Sequence, residues 1–218
     1  MARLQACLID AYGTIVETDF AAHKDERAAM AGISAAAIDV EFSRVASAIT
    51  VGQISMAGAF AHILRECGVE PRPDLVRDLV DKSRELLLAS ACLYEDVLPF
   101  LRTLRSGGIR TAIVSNCDEN TRDLLVELGV AALTDALVLS CEVGAAKPAA
   151  LIYARALDRL GVTADAALFV DDNPASCAGA AALGISAVQI VRGGADRRAA
   201  AGTTAVRSLT EVGALLRA

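Results

Sequence analysis

Leu8-Ile9-Asp10-Ala11-Tyr12-Gly13-Thr14 sets a carboxylate at the end of an apolar run and breaks the run at once with a glycine. Leu4, Cys7, Leu8 and Ile9 suffice for a buried strand and are too few for an independent helix. An aspartate closing such a strand lies at the C-terminal edge of the sheet, where open α/β sheets hold their ligands. Its carboxylate can attack a substrate, bind a cation or do both. An isolated Asp-x-x-Gly is also an ordinary turn, so the segments that follow decide between these readings.

From Tyr94 onward, strands alternate with helices. A helix over 95–106 stops at Gly107-Gly108, and the apolar run 109–114 forms a strand ending in Ser115-Asn116. A helix over 119–128 leads to a strand over 136–139, then to Glu142-Val143-Gly144-Ala145-Ala146-Lys147-Pro148 and a helix to about 160. The run 166–170 is a further strand, closed by Asp171-Asp172-Asn173-Pro174. A helix through Leu183, a strand over 187–191 and a helix over 209–216 complete the pattern. This rhythm predicts right-handed βαβ units and a parallel sheet with helices on both faces.

Between the first strand and this region, apolar residues recur at helical spacing near 18–31, 34–50, 55–67 and 73–90, as in Phe42, Val45, Ala46 and Ile49. Ser55 and Asp74 suit an N-cap or a first turn, and Gly68 suits a helix stop. The expectation is an α/β core from 1–15 and 92–218 carrying a four-helix insertion at 16–91. The Ala- and Arg-rich stretch 192–202 reads as a surface loop or short helix without chemistry.

Composition narrows the function classes. The chain has 218 residues, 54% of them hydrophobic, with 4% aromatics and no Trp, which favours helices and packed parallel strands over a β-sandwich. Its 21 basic and 27 acidic residues give a charge of −6 with no basic block, which disfavours nucleic acid. No apolar run is long enough to span a bilayer, and the N-terminus carries no signal pattern, so a cytoplasmic monomer or homodimer without membrane contact is expected. Six cysteines at 7, 67, 92, 117, 141 and 177 lack Cys-x-x-Cys spacing and read mostly as reduced core thiols. Cys117 stands apart because it follows the Ser115-Asn116 pair.

Parallel strands put all their C-terminal ends on one edge, so Asp10, Ser115-Asn116, Lys147 and Asp171-Asp172 should converge. Each suits the handling of a phosphoryl group. Asp10 can form an aspartyl-phosphate, splitting one hard displacement into two easier ones. Asp172 opposite Asp10 supplies the paired carboxylates that Mg²⁺ favours. Ser115 and the N–H groups beyond it can donate to phosphate oxygens, and Lys147 offsets the repulsion between an anionic nucleophile and an anionic substrate. Singly, the segments are also ordinary: a helix cap, an exposed cation before a proline, a solvated turn.

Together, in this order, they resemble the four motifs of the haloacid dehalogenase superfamily, and 16–91 resembles the helical cap of its first subfamily. The resemblance extends to Gly52-Gln53-Ile54-Ser55, Gly179-Ala180 and Leu183-Gly184. It implies a Rossmann-like doubly wound core, Asp10 as nucleophile, Thr14, Ser115 and Asn116 as substrate binders, and Lys147 as the charge-stabilising residue. It further implies Asp172 as a Mg²⁺ ligand with Asp171 in support, and the Tyr12 main-chain carbonyl as a third protein ligand.

Two positions pull in opposite directions. Phosphatases of the family usually carry a second aspartate two residues after the nucleophile, where this chain has Tyr12, a phenol of ordinary pKa about 10 that exchanges protons poorly at neutral pH. Asp-x-Tyr-Gly-Thr is instead the usual first motif of the family's metal-free 2-haloacid dehalogenases. Those enzymes usually have small polar residues in place of Asp171 and Asp172, and two extra carboxylates without a cation would repel a carboxylate substrate. A Mg²⁺-dependent phosphatase of small phosphate esters, favouring good leaving groups, therefore ranks ahead of a dehalogenase and of a non-catalytic phosphate- or metabolite-binding protein. Asp19 or His23 are alternative proton sources, and Arg44 and Arg65 alternative anion contacts.

Overall fold

The computed structural model describes residues 4–20, 22–193 and 204–216. The chain runs β1 (Ala6–Ile9), β2 (Val16–Glu17), α1 (Ala22–Ala31), α2 (Ala35–Thr50), α3 (Met56–Glu66), α4 (Pro73–Ser90) and β3 (Cys92–Leu93). It continues through α5 (Val97–Ser106), β4 (Arg110–Ser115), α6 (Thr121–Glu127), β5 (Ala136–Leu139), α7 (Ser140–Val143) and α8 (Ala150–Leu160). It closes with β6 (Ala167–Asp171), α9 (Pro174–Ala181), β7 (Ser186–Ile190), β8 (Ala205–Val206) and α10 (Leu209–Leu215).

Six strands form one sheet in the order β5-β4-β1-β6-β7-β8, and every pairing is parallel. β1 lies inside it. The chain builds outward through β4 and β5 on one side, then returns through β6, β7 and β8 on the other, so β1 and β6 flank the point where the winding reverses. At such a point the loops part and leave a crevice above the strand ends. Asp10 and Asp171 stand there.

The pleat explains why both faces are covered. Ala6 and Leu8 point to one side, packing with Ala112, Val114 and Phe169 under Ile152, Tyr153 and Ala156 of α8. Cys7 and Ile9 point to the other, with Ile113 and Val170 under Phe100 and Leu101 of α5 and Val212 of α10. Burying each such aliphatic side chain contributes about 1.5–3 kcal/mol. Tyr153 sits edge-on to Phe169 at 5.3 Å and donates its hydroxyl to the Ser176 carbonyl at 2.7 Å, so its polar end is satisfied inside the core.

Helices α1–α4 bury a cluster of their own, including Ala28, Ile38, Phe60, Ile63, Leu64 and Leu79. Ser34 and Ser55 cap α2 and α3 by accepting from the N–H groups of Ala37 and Gly58. Asp74 lies in the first turn of α4 behind Pro73, and Gly68 follows α3 with a positive φ, as expected. Among the described residues of these helices, Leu87 of α4 joins the core cluster under the sheet, with Leu88 packed against it. Among the described residues no helix is long and apolar enough to cross a membrane.

The longer elements lie within a few residues of their expected positions, while the short helix α7 was not expected and further corrections fall on the shortest strands and on Arg192. Two-residue strands are too short to show periodicity, so the β2–β3 ladder (Val16↔Leu93, Glu17↔Cys92) and β8 have no counterpart in the sequence reading. Of the 192–202 stretch, only Arg192 and Gly193 lie among the described residues. Arg192 is no surface residue: it is buried and bonded on two sides, as set out below.

The β2–β3 ladder brings the two ends of the helical insertion side by side, and a polar cluster clasps them. Ser90 Oγ pairs with Thr18 Oγ1 at 2.8 Å and with His23 Nε2 at 2.7 Å. Burial, aided by Arg27, lowers the His23 pKa against the opposite pull of Asp19 and Glu26. A lowered pKa means that the folded state resists protonation, so stability is full above the unfolded value of about 6.5 and falls as pH drops through the folded value. Urea denaturation at pH 7.5 and pH 5.5 should show wild type losing more stability on acidification than His23→Gln; equal losses would refute the assignment.

Candidate active site

Asp10 follows β1 directly, and its N–H donates to Val170 O at 2.9 Å, which fixes it against β6. Lys147, from the loop before α8, reaches back under the strand ends. Its ammonium donates to Asp10 Oδ1 at 2.5 Å and to Asp171 Oδ2 at 2.6 Å, and it lies 5.6 Å from the centre of the Phe169 ring. All three side chains are buried. Burial alone would lower the lysine pKa, but the two carboxylates outweigh it and the net shift is upward, so the group is a fixed cation.

Asp171 has both oxygens engaged, one by Lys147 and the other by the Asn173 N–H at 2.7 Å. Burial, then the negative charge of Asp10, pushes its pKa up to about 7, against the pull of Lys147. Asp172, one residue on, is less buried and presents its carboxylate to the first turn. Oxygens of Asp10, Asp171 and Asp172 lie within 4.8 Å of one another. Lys147 bonds two of these carboxylates, Asp10 and Asp171, whose charges would together exceed its own when both are ionised. Such an arrangement is costly in a low-dielectric site without a further cation.

Gly13 makes the approach of Asp172 possible. Its φ of +78° suits glycine, and a Cβ there would fall 2.5 Å from Asp172 Oδ2. The turn that ends β1 is therefore shaped to admit a carboxylate from the far end of the chain. Two hydroxyls point to the same need for an occupant: Thr14 Oγ1 and Ser115 Oγ are fully buried with no hydrogen-bond partner. A buried unsatisfied hydroxyl costs about 1–3 kcal/mol, so both are poised for a ligand that folding alone does not supply. Three oxygen donors, a glycine turn cleared for one of them and two orphaned hydroxyls suit a small hard dication and an oxyanion.

The remaining expected residues divide. The Asn116 amide donates from Nδ2 to Lys147 O at 2.9 Å and accepts from Lys147 N at 2.7 Å, clamping the main chain that carries the ammonium. Tyr12 directs its hydroxyl to Thr121 Oγ1 at 2.9 Å, with its ring 5.2 Å from that of Phe20. Burial, with Asp118, Cys117 and Asp10 adding to it, drives the phenol pKa still higher despite Thr121, so Tyr12 keeps its proton. His23 is spent on the Ser90 clasp, Asp19 is exposed, Arg44 pairs with Glu41 of its own helix, and Arg65 faces solvent.

Sequence reading missed Arg192. Its guanidinium makes a two-pronged pair with Asp96, Nη1 to Oδ2 at 2.8 Å and Nη2 to Oδ1 at 2.9 Å, while Nε donates to Thr14 O at 3.0 Å. Asp96 also accepts from Leu209 N at 2.8 Å, and the guanidinium lies over the Tyr94 ring at 4.3 Å. Arg192 thus braces the Asp10–Thr14 turn from behind. The only local signal is an arginine directly after a strand, and its partner is distant in sequence.

Residues 4–184 match the family described as haloacid dehalogenase-like hydrolase. The glyceraldehyde 3-phosphate phosphatase of Methanopyrus kandleri is 33% identical over 136 residues, which is 62% of this chain and 58% of that protein. The (S)-2-haloacid dehalogenase 4A of Burkholderia cepacia is 30% identical over 203 residues, 88% of this chain and 84% of that one. Among solved structures, the HAD phosphatase from Thermococcus onnurineus superposes with a TM-score of 0.70 at 23% identity over 98% of both chains. With the parallel sheet, the reversal of winding above β1 and the motif match over most of its length, the chain belongs to the haloacid dehalogenase-like hydrolases.

Proposed function

We propose that this hydrolase is a Mg²⁺-dependent phosphatase of small phosphate esters that works through an aspartyl-phosphate on Asp10. The observation that supports the reading is the convergence of carboxylate oxygens of Asp10, Asp171 and Asp172 within 4.8 Å of one another at the strand ends, a donor set suited to a hard dication. Asp10 and Asp172, with the Tyr12 main-chain carbonyl, are the proposed Mg²⁺ ligands. When bound, the ion supplies positive charge that offsets the substrate phosphate and the carboxylates around it.

Lys147 holds Asp10 Oδ1, which fixes the carboxylate plane and leaves the other oxygen to act as nucleophile. That oxygen bonds to phosphorus as the bond to the leaving oxygen breaks; water then attacks phosphorus, releasing inorganic phosphate and the free Asp10 carboxylate. The buried, unpartnered hydroxyls of Ser115 and Thr14 would donate to phosphate oxygens, which would satisfy both. Asn116 acts here as a positioning residue for Lys147, and Asp171 as its second anchor. Residues 16–91, with a core of their own, serve as a cap over the strand ends. With Tyr12 locked as a protonated hydrogen-bond partner, the leaving oxygen departs without a strong protein acid, so aryl and sugar 1-phosphates are preferred.

A metal-free 2-haloacid dehalogenase is the second reading, favoured by Tyr12 and by the long match to the Burkholderia cepacia enzyme. The two separate in one assay of phosphate release from p-nitrophenyl phosphate and chloride release from 2-chloropropionate, each with Mg²⁺ or with EDTA. Phosphate release that vanishes in EDTA and returns with Mg²⁺ is expected; EDTA-insensitive chloride release would overturn the proposal. A second result follows from the missing acid. Tyr12→Asp should raise kcat/KM for unactivated alkyl phosphates by about 10²-fold, and no increase would sink this account of the leaving group.

A further inference from the structure

Two buried polar side chains at the end of β7 reach away from their own strand to the strand-end turns around Asp10. Gln189, in register with Asp171, donates from Nε2 to the Asp172 carbonyl at 3.0 Å. Arg192, two residues beyond the strand, donates from Nε to the Thr14 carbonyl at 3.0 Å. Both lie in an otherwise apolar stretch, beside Val188, Ile190 and Val191. The turns they hold meet where Gly13 faces the Asp172 carboxylate, so the end of one strand grips both halves of the site.

The Thr14 turn has little else to hold it from outside. The N–H groups of Thr14, Ile15 and Val16 converge on Ala11 O at 3.3, 2.8 and 2.8 Å, which spends these donors within the turn. Two of its carbonyls are tied to other segments, Ile15 O by Tyr94 N at 3.3 Å and Thr14 O by Arg192. Arg192 is itself fixed by its two-pronged pair with Asp96 and by the Tyr94 ring. A buried ion pair stabilises a fold little more than apolar residues of similar volume would. What an arginine adds here is a rigid fork, two prongs of which are anchored while the third N–H is aimed at one carbonyl.

We propose that Arg192 and Gln189 are positioning residues with separate duties in the reaction. Arg192 fixes the Thr14 main chain, and with it the buried, unpartnered Thr14 hydroxyl that meets the substrate phosphate. Gln189 fixes the Asp172 main chain, and with it the carboxylate offered to Mg²⁺. Neither side chain touches the substrate. The assignment rests on the phosphatase reading above and divides its binding energy between two supports behind the turns.

The test crosses two variants of the full chain with two affinities, after circular dichroism has shown that each variant is folded. Arg192→Lys keeps the charge, but an ammonium is a single point of attraction that Asp96 claims, so the Thr14 carbonyl is released. Its KM for p-nitrophenyl phosphate and its inhibition constant for inorganic phosphate should both rise by about tenfold, the scale of a small misplacement of a binding group. Its affinity for Mg²⁺ alone, measured by titration calorimetry, should stay that of wild type. Gln189→Met keeps the length and loses the donor; its Mg²⁺ affinity should fall by about tenfold or more, as when a partner behind a metal ligand is removed. At saturating Mg²⁺ its KM and its inhibition by inorganic phosphate should be those of wild type. Should Arg192→Lys not fold, Arg192→Met combined with Asp96→Asn leaves no unpaired charge and takes its place. Variants that lose thermal stability with both affinities unmoved, or that shift both affinities together, overturn the assignment. A wild-type protein that binds neither Mg²⁺ nor inorganic phosphate refutes the phosphatase reading itself, and both duties with it.

Discussion

Asp10→Asn should lower kcat for phosphate release by on the order of 10⁴-fold or more, as the loss of a covalent nucleophile does, while the protein folds as before. The asparagine keeps the shape and still offers an oxygen to Lys147, so the buried ammonium stays paired on both sides. What disappears is the negative charge that attacks phosphorus. Removing it also relieves the repulsion that raises the Asp171 pKa, so thermal stability in the absence of Mg²⁺ should equal or exceed that of wild type. Circular dichroism and a steady-state assay decide the matter. A folded variant with more than a few per cent of wild-type activity would show that Asp10 is not the nucleophile.

Lys147→Met should fail differently, in stability and activity together. The ammonium is the only cation that hydrogen-bonds Asp10 and Asp171 among the described residues, and both carboxylates are buried. Taking one partner from such a cluster costs about 3–5 kcal/mol, because charge is left uncompensated in a low-dielectric interior. Turnover should fall by about 10³-fold, since Asp10 loses the contact that orients it. The sign with pH follows from the raised lysine pKa: its stabilisation is complete below the unfolded value of about 10.4 and is lost only as pH rises through the higher folded value. Urea denaturation in EDTA measures the loss. A shift under 1 kcal/mol would mean that the pair is worth no more than a surface salt bridge. Adding Asp10→Asn to Lys147→Met should recover part of the lost stability by removing one unpaired charge.

These two side chains were legible because the chemistry sits where strands end. Asp10 and Asp171 each close an apolar run, and the parallel winding inferred from the alternation of strands and helices is enough to bring them together. Lys147 was legible by its place in the loop between a strand and the next helix, though its double anchorage on Asp10 and Asp171 was not. Asn116 shows the limit most clearly. Sequence position gives a polar residue beyond a strand, suited to meet a substrate, but only coordinates reveal that both ends of its amide are taken by the Lys147 main chain. Arg192 was missed for a related reason. A buried arginine is recognised by its partners, and Asp96 and the Thr14 carbonyl are far from it along the chain. The β2–β3 ladder was beyond any periodic signal, being two residues long on each side.

Since Phe60, Ile38, Leu79 and their neighbours pack among themselves, and among the described residues of these helices Leu87 and Leu88 are the hydrophobics that join the core under the sheet, the helical segment is built as an exchangeable cassette. Its entry and exit meet at a single two-rung ladder, so one contiguous stretch of coding sequence can be lengthened, shortened or exchanged without rewriting the strand ends. New substrate ranges can then arise by replacing what lies above an unchanged reaction centre, provided that the incoming segment leaves a bare α-carbon where Gly52 now meets the Cys141 carbonyl.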